Sequence, residues 1–341
     1  MPTDPQALYD ECLAVCHNYA KTGQTIKAME MLKVLRKLDP DNPLTELFVV
    51  ETTLFGGSYH HDNPRDPVIS FHVKEGGEGF FGHDWRGEDL DGKSIEIFAD
   101  QGAGDVIILL RYLQEMKRRW DCRIALNCYG HYQILKDSLS DFDFIERIAY
   151  KHIICDYCTN LYSVPAILNG MDVCYPAHFA ELLEKPVPEQ PVFRSKMITA
   201  PSSVKKIGVV WESNPANSLH HKKSLDPDLL RSLKGNMELV SLLPGKAGLD
   251  FIDERRNIES LQDTVKLIST LDAVFSVDTV TLHLAGSMGK TTFGLLAFDA
   301  DHRWGSGDTT LWYPSVRLFR QSTEGSWQEP LDDLAKALEE V

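Results

Sequence analysis

The chain has 341 residues, 43% of them hydrophobic and 25% charged, with a formal net charge of −15. That length suits two domains with an appendage, and the composition is that of a globular protein. The acidic balance argues against broad nonspecific binding to nucleic acid, so any phosphate site must be built from a few well-placed cations and backbone amides.

The start, Met1-Pro2-Thr3-Asp4, lacks a basic region followed by an apolar run, and no apolar stretch is long enough to cross a bilayer. The expected location is cytoplasmic, or peripheral at the inner membrane. Residues 1–59 read as helices. Leu8, Cys12, Val15, Cys16 and Tyr19 fall at helical spacing, and Ala28, Met31, Leu32, Leu35 and Leu38 repeat it after a break at Thr22-Gly23. The pattern is tetratricopeptide-like. One repeat and a fragment do not make a solenoid, so a helical cap is the simpler expectation, with docking of a protein partner as the alternative.

Residues 60–92 are rich in Gly, Pro, His and Asp and read as a connecting loop. Residues 93–185 then alternate. The expected strands are Ser94 to Ala99, Arg123 to Cys128 and an apolar run from Phe142 to Ile148. The expected helices are Val106 to Trp120, Tyr132 to Leu139 and Leu161 to Leu168. After a proline-rich linker, residues 186–203, a second α/β series fills 204–341. Its strands are Lys206 to Trp211, Met237 to Leu243, Ala273 to Val277 and Thr292 to Ala297. Its helices are Pro227 to Leu233, Ser260 to Leu271, Thr281 to Met288 and Gln328 to Leu338. The fold class is therefore α/β, with two Rossmann-like domains facing a cleft, and ligands in such sheets bind beyond the carboxyl ends of the strands.

Three strand-end segments carry the candidate chemistry. Asp278 and Thr279 follow a strand, and His283 lies one turn into the next helix. A helix start of this kind suits a diphosphate, although Asp or Thr there is also an ordinary helix cap. Gly102, Gly104 and Asp105 follow the first strand. The glycines let backbone approach a ligand, and Asp105 is either a cap or a general base facing the cleft. The third glycine of a dinucleotide fingerprint is missing, with Ile107 in its place. The loop opened by Trp211 and Asn214 gathers His220, His221, Lys222 and Lys223 at another strand end, a solvated basic loop or a diphosphate contact. Gly286 to Thr291 is superficially P-loop-like, but it ends a helix, so Gly289 is expected to be a C-cap. Cys155 and Cys158 form one CxxC among seven cysteines. Zinc needs a second spaced pair, which is absent, so buried thiols are expected and no metal.

Taken together, these segments resemble the bacterial tetratricopeptide-containing glycosyltransferase-like proteins. That group is related to the ADP-heptose lipopolysaccharide heptosyltransferases and, more distantly, to the O-linked N-acetylglucosamine transferases. The likeness runs through Gln101-Gly102-Ala103-Gly104-Asp105, Arg111-Tyr112, Val209-Val210-Trp211, Ser276-Val277-Asp278-Thr279 with His283, Arg303-Trp304 and Trp312-Tyr313-Pro314. It implies a GT-B fold and an inverting, metal-independent transfer of a sugar from a nucleotide-diphosphate donor to a hydroxyl, with no cofactor. It gives Asp105 the role of base. Trp211, Asn214, Asp278, Thr279 and His283 would line the donor site, and Lys222 or Lys223 would neutralise the leaving diphosphate. The acceptor stays open among a glycan, a lipid-linked sugar, a protein hydroxyl and, least favoured by the charge, modified nucleic acid. A non-catalytic binding module or a protein-interaction scaffold on the same fold is the other reading. The chain departs from its relatives at Lys222-Lys223, Lys290-Thr291 and His302, which leaves the donor identity open.

Overall fold

The computed structural model describes residues 83–99, 102–128, 131–140, 142–149, 155–170, 185–195, 204–217, 219–233, 237–244, 252–254 and 258–341, together with Cys12, Val15 and Leu35. The tetratricopeptide-like reading of 1–59 lies outside the described residues, apart from those last three, which are helical. Most of the connecting loop also lies outside them.

The first sheet holds five parallel strands: β1 (His83–Asp84), β2 (Ser94–Phe98), β3 (Arg123–Asn127), β4 (Arg147–Ala149) and β5 (Tyr157–Asn160), in the order β1-β5-β2-β3-β4. Its helices are α1 (Ala103–Arg119), α2 (Tyr132–Leu139) and α3 (Ser163–Leu168). The second sheet holds six parallel strands: β6 (Lys205–Val210), β7 (Met237–Ser241), β8 (Ile252–Glu254), β9 (Ala273–Val277), β10 (Thr292–Leu296) and β11 (Val316–Arg320). With it come a single helical turn α4 (His220–Lys223), α5 (Leu261–Ser269), α6 (Val280–Ser287) and α7 (Gln328–Leu338). The run β9 is buried at every position, as befits a strand covered on both faces.

Several expectations needed correction. The 60–92 loop contains β1, a two-residue edge strand that borrows its pairing from β5. β5 itself was hidden because Tyr-Cys-Thr-Asn carries no apolar alternation. Cys158 lies in the strand, and Cys155 precedes it across a bend at Asp156. Burial pushes the Cys155 thiol up to about 11. Among the described residues no group of three or more His, Cys, Asp or Glu is arranged to hold a metal. The apolar run 142–148 is mostly a turn: Phe142 packs edge-on against Phe193 at 4.9 Å, and only Arg147–Ala149 pairs as strand. Pro227–Ser232 is a 3-10 helix, capped by Asp226.

Gly289 is the expected helix stop. Its φ is 68°, its N–H donates to Gly286 O, and Lys290 N–H donates to Ala285 O, the paired bonds of a Schellman ending. No described helix is long and apolar enough to cross a membrane.

Candidate functional site

The second sheet runs β11-β10-β9-β6-β7-β8. All six strands are parallel, and the order in which they are added reverses between β6 and β9, so those two strand ends bound the crevice that α/β sheets use for ligands. The loop after β6 carries Trp211 to Ser224, and β9 is followed by Asp278 and Thr279. The basic loop and the Asp-Thr pair, far apart in sequence, are therefore adjacent in space. Lys223 Nζ donates to Asp278 Oδ2 at 2.6 Å, and Trp304 Nε1 donates to Asp278 Oδ1 at 3.0 Å. Both ion-paired side chains are largely buried, at 17% and 10% exposure.

Asp278 therefore does not cap α6. Thr279 is the N-cap, and it makes no side-chain cap bond; its hydroxyl lies 3.0 Å from Ser276 Oγ. Lys222 has different partners, bonding Asp299 at 2.6 Å and Glu324 at 3.2 Å. These partners hold its ammonium above the usual lysine range. Lys222, Lys223, Asp278, Asp299 and Leu219 line a small recess at this end of the sheet. Trp211 is buried in the core, and exposed Asn214 accepts the Ala216 N–H in a local turn. Neither side chain reaches the Lys223–Asp278 pair through any described bond.

The start of α1 packs directly on α6. Gly102 is the N-cap and makes no side-chain bond, and Asp105 sits in the first turn. Its carboxylate does not cap α1. It pairs through Oδ1 with Nη1 of Arg303, 198 residues away. Arg303 Nη2 bonds Asp301 Oδ2 at 2.7 Å, and burial lowers the guanidinium to about 10. Gly104 meets α6 at His283. A Cβ on Gly104 would come within 2.5 Å of the imidazole Cδ2. The glycine thus permits a close helix crossing, and the backbone surface it frees is taken by a side chain.

His283 is buried, 3% exposed, in this contact. Its ring stacks on Trp304 with centroids 4.8 Å apart, and Nδ1 lies 3.1 Å from the Tyr313 hydroxyl. Burial lowers its pKa to about 4; Lys223 and Arg111 push the same way and Asp278 opposes them. The imidazole is neutral at neutral pH, so it offers a hydrogen-bonding atom rather than a positive charge.

The structure thus brings together Asp278, Lys223 and, across α1, Gly104, Asp105 and His283. It also recruits residues to which the sequence assigned no role: Arg303, Trp304, Tyr313 and Arg111. Arg111 lies inside α1, only 2% exposed. It donates to Trp312 O at 2.7 Å and to Gln190 Oε1 in the linker, and its guanidinium lies 5.3 Å from the Trp312 ring centroid. A charge in an otherwise apolar helix run was the available signal for it. For Arg303 the signal was the Arg-Trp pair in a loop rich in Asp, Gly and Thr.

No family model matches the chain. Over 286 residues it is 23% identical to Protein FlbA of Caulobacter vibrioides, an alignment covering 74% of this chain and 48% of that protein. The chain thus spans about half the length of the curated relative it matches. Among solved structures it is similar to the E. coli heptosyltransferase WaaC with ADP-2-deoxy-2-fluoro heptose, with a TM-score of 0.47, 13% identity, and coverage of 73% of this chain and 100% of that one. The glycosyl transferase family 9 structure from Veillonella parvula gives 0.46 and 9% identity, covering 73% and 92%. The dodecameric iron-containing heptosyltransferase TibC in complex with ADP-D-beta-D-heptose gives 0.45 and 11%, covering 72% and 67%.

Proposed function

We propose that the chain is a glycosyltransferase of GT-B arrangement that moves a sugar, with inversion and without a resident metal, from a nucleotide-diphosphate donor to a hydroxyl. The observation that carries this reading is the crevice between β6 and β9. It holds a lysine paired with Asp278 at a strand end, and Asp105 of the other sheet's first helix is tied to it through Arg303, whose neighbour Trp304 bonds Asp278.

In this reading the acceptor hydroxyl gives its proton to Asp105 as its oxygen attacks the anomeric carbon from the face opposite the diphosphate. The bond from that carbon to the phosphate oxygen breaks, and the nucleoside diphosphate leaves with the electron pair. Base catalysis of this type contributes roughly 10²- to 10⁴-fold. Lys223, with Lys222 beside it, neutralises the departing charge. Asp278, Thr279 and neutral His283 shape the donor site, and Trp211 and Asn214 frame the loop that covers it. The domain boundaries of the sequence reading, 93–185 for the acceptor side and 204–341 for the donor side, belong to the same proposal. The tetratricopeptide-like segment, the kinship with O-linked N-acetylglucosamine transferases, a protein partner and a cytoplasmic or membrane-peripheral location rest on the sequence motifs.

One observation favours a second reading, a non-catalytic binding module. The carboxylate assigned as base is already ion-paired with Arg303. A panel of UDP-, ADP-, GDP- and CMP-sugars decides between them. The enzyme reading expects one donor to release nucleotide slowly without acceptor, undiminished by a chelator. A donor that raises Tm but is never turned over, with or without acceptor extracts, supports the module. Loss of turnover on chelation would sink the metal-independent mechanism.

A further inference from the structure

Resting on the donor-site reading above, we propose that Arg303 is itself a diphosphate ligand, masked in the empty protein by Asp105. On this view donor binding takes Arg303 from Asp105 and so releases the carboxylate to act as base.

The charges around the crevice require some rearrangement. Two cations, Lys223 and Arg303, are paired with three carboxylates, Asp278, Asp105 and Asp301. A diphosphate added to that set meets net negative charge in a poorly hydrated place, which is unfavourable unless a carboxylate withdraws. The three carboxylates are not equally able to withdraw. Asp278 is fixed by Lys223 and by the Trp304 indole N–H. Asp301 is two residues from Arg303, and its Oδ1 also accepts the Arg303 backbone N–H at 3.0 Å, so it travels with the arginine. Asp105 is the carboxylate contributed by the other sheet's helix, so a small separation of α1 from α6 parts it from Arg303 without breaking either local arrangement.

The guanidinium is well placed for the exchange. Its main chain is anchored, since Arg303 O accepts the Trp312 Nε1–H at 2.8 Å. The next residue, Trp304, bonds Asp278, which is bound to Lys223, so a chain of direct contacts links Arg303 to the lysine assigned to the diphosphate. A planar fork that now grips carboxylates on both arms has the geometry that grips phosphate oxygens. The contact would also keep the base idle while no donor is bound.

The test is calorimetric titration of the full chain with inorganic pyrophosphate and, in parallel, with ADP, UDP and GDP. If Asp105 competes for Arg303, Asp105→Asn tightens pyrophosphate binding on the order of tenfold, a usual size for coupling between two ligands of one group. Arg303→Gln weakens binding by a similar factor, Arg303→Lys restores part of it, and the double variant matches Arg303→Gln alone. A merely structural role for the pair predicts no gain in Asp105→Asn. Equal affinity in the parent and both single variants overturns the proposal while leaving the crevice as the donor site. If neither pyrophosphate nor any nucleotide binds any variant, the donor-site reading falls and this proposal with it. Should Asp105→Asn not fold, Asp105→Ser supplies the same comparison.

Discussion

The first helices after β2 and β9 present the same local problem and solve it differently. Each of α1 and α6 follows the carboxyl end of a buried strand, each has an aspartate beside its start, and the two pack on each other. At α6 the aspartate precedes the N-cap and is held within its own half, by Lys223 and Trp304. At α1 it lies inside the first turn and reaches across to Arg303. Neither carboxylate caps its helix. The comparison shows that a one-turn difference in position separates a carboxylate held within its own half from one whose partner belongs to the other sheet. The proposed exchange follows this difference: the first keeps its partners and the second gives up Arg303.

The largest expected effect falls on Asp105. Asp105→Asn should lower turnover of an identified donor by roughly 10²- to 10⁴-fold while the chain stays folded. Retained turnover would make α1 and α6 equivalent walls. Gly104→Val tests how tightly the two helices must meet. With a Cβ at 2.5 Å from the His283 ring, the helices must part, and thermal unfolding should show a loss of about 1–3 kcal/mol. An unchanged Tm would mean that the crossing is loose.

His283 gives the contact a pH signature. Its folded pKa, about 4, lies below the ordinary value of 6.5, so the unfolded chain binds the extra proton first. Its contribution to stability is fully present above pH 6.5 and is lost as pH falls toward 4, on the order of 3 kcal/mol in all. Denaturant titrations between pH 7 and 4 should show a shallower loss in His283→Gln than in the parent. Identical slopes would contradict a desolvated imidazole.

The smallest effect concerns caps. Ser260 accepts the Asp263 N–H and Asp263 answers to Ser260 N–H, a complete capping box, so Ser260→Ala should cost about 1 kcal/mol. Thr279 makes no such bond, and Thr279→Ala should cost less than that. Equal costs would mean that α6 depends on its cap after all.

Much of the frame was readable because each element declares itself locally. Ala273–Val277 and Gln328–Leu338 were expected with the bounds they have, one as a continuous apolar run and the other by helical period. The failures share a cause. β1 and β8 are very short and β5 is polar in sequence, so their pairing comes from neighbours and not from their own pattern. α1 starts before Val106, at Ala103, because Ala-Gly gives no apolar period at its beginning. The candidate site was legible as three strand ends, yet its wiring was not. Lys223–Asp278 spans 55 residues and Arg303–Asp105 spans 198, and nothing local announces either pair. Lys222 and Lys223 line the same recess but pair differently, one with Asp299 and Glu324 and the other with Asp278.

The central claim, that the β6–β9 crevice receives a nucleoside diphosphate, is tested most directly by titrating ADP, UDP and GDP into the parent chain, Lys223→Ala and Lys336→Ala. Lys336 is an exposed lysine on α7, paired with Asp333, and serves as a charge-matched control. At least one nucleotide should bind the parent and Lys336→Ala alike and lose on the order of tenfold or more in Lys223→Ala, the scale of a charge-assisted phosphate contact. Equal affinity for all three proteins, or no binding to any, would contradict the account.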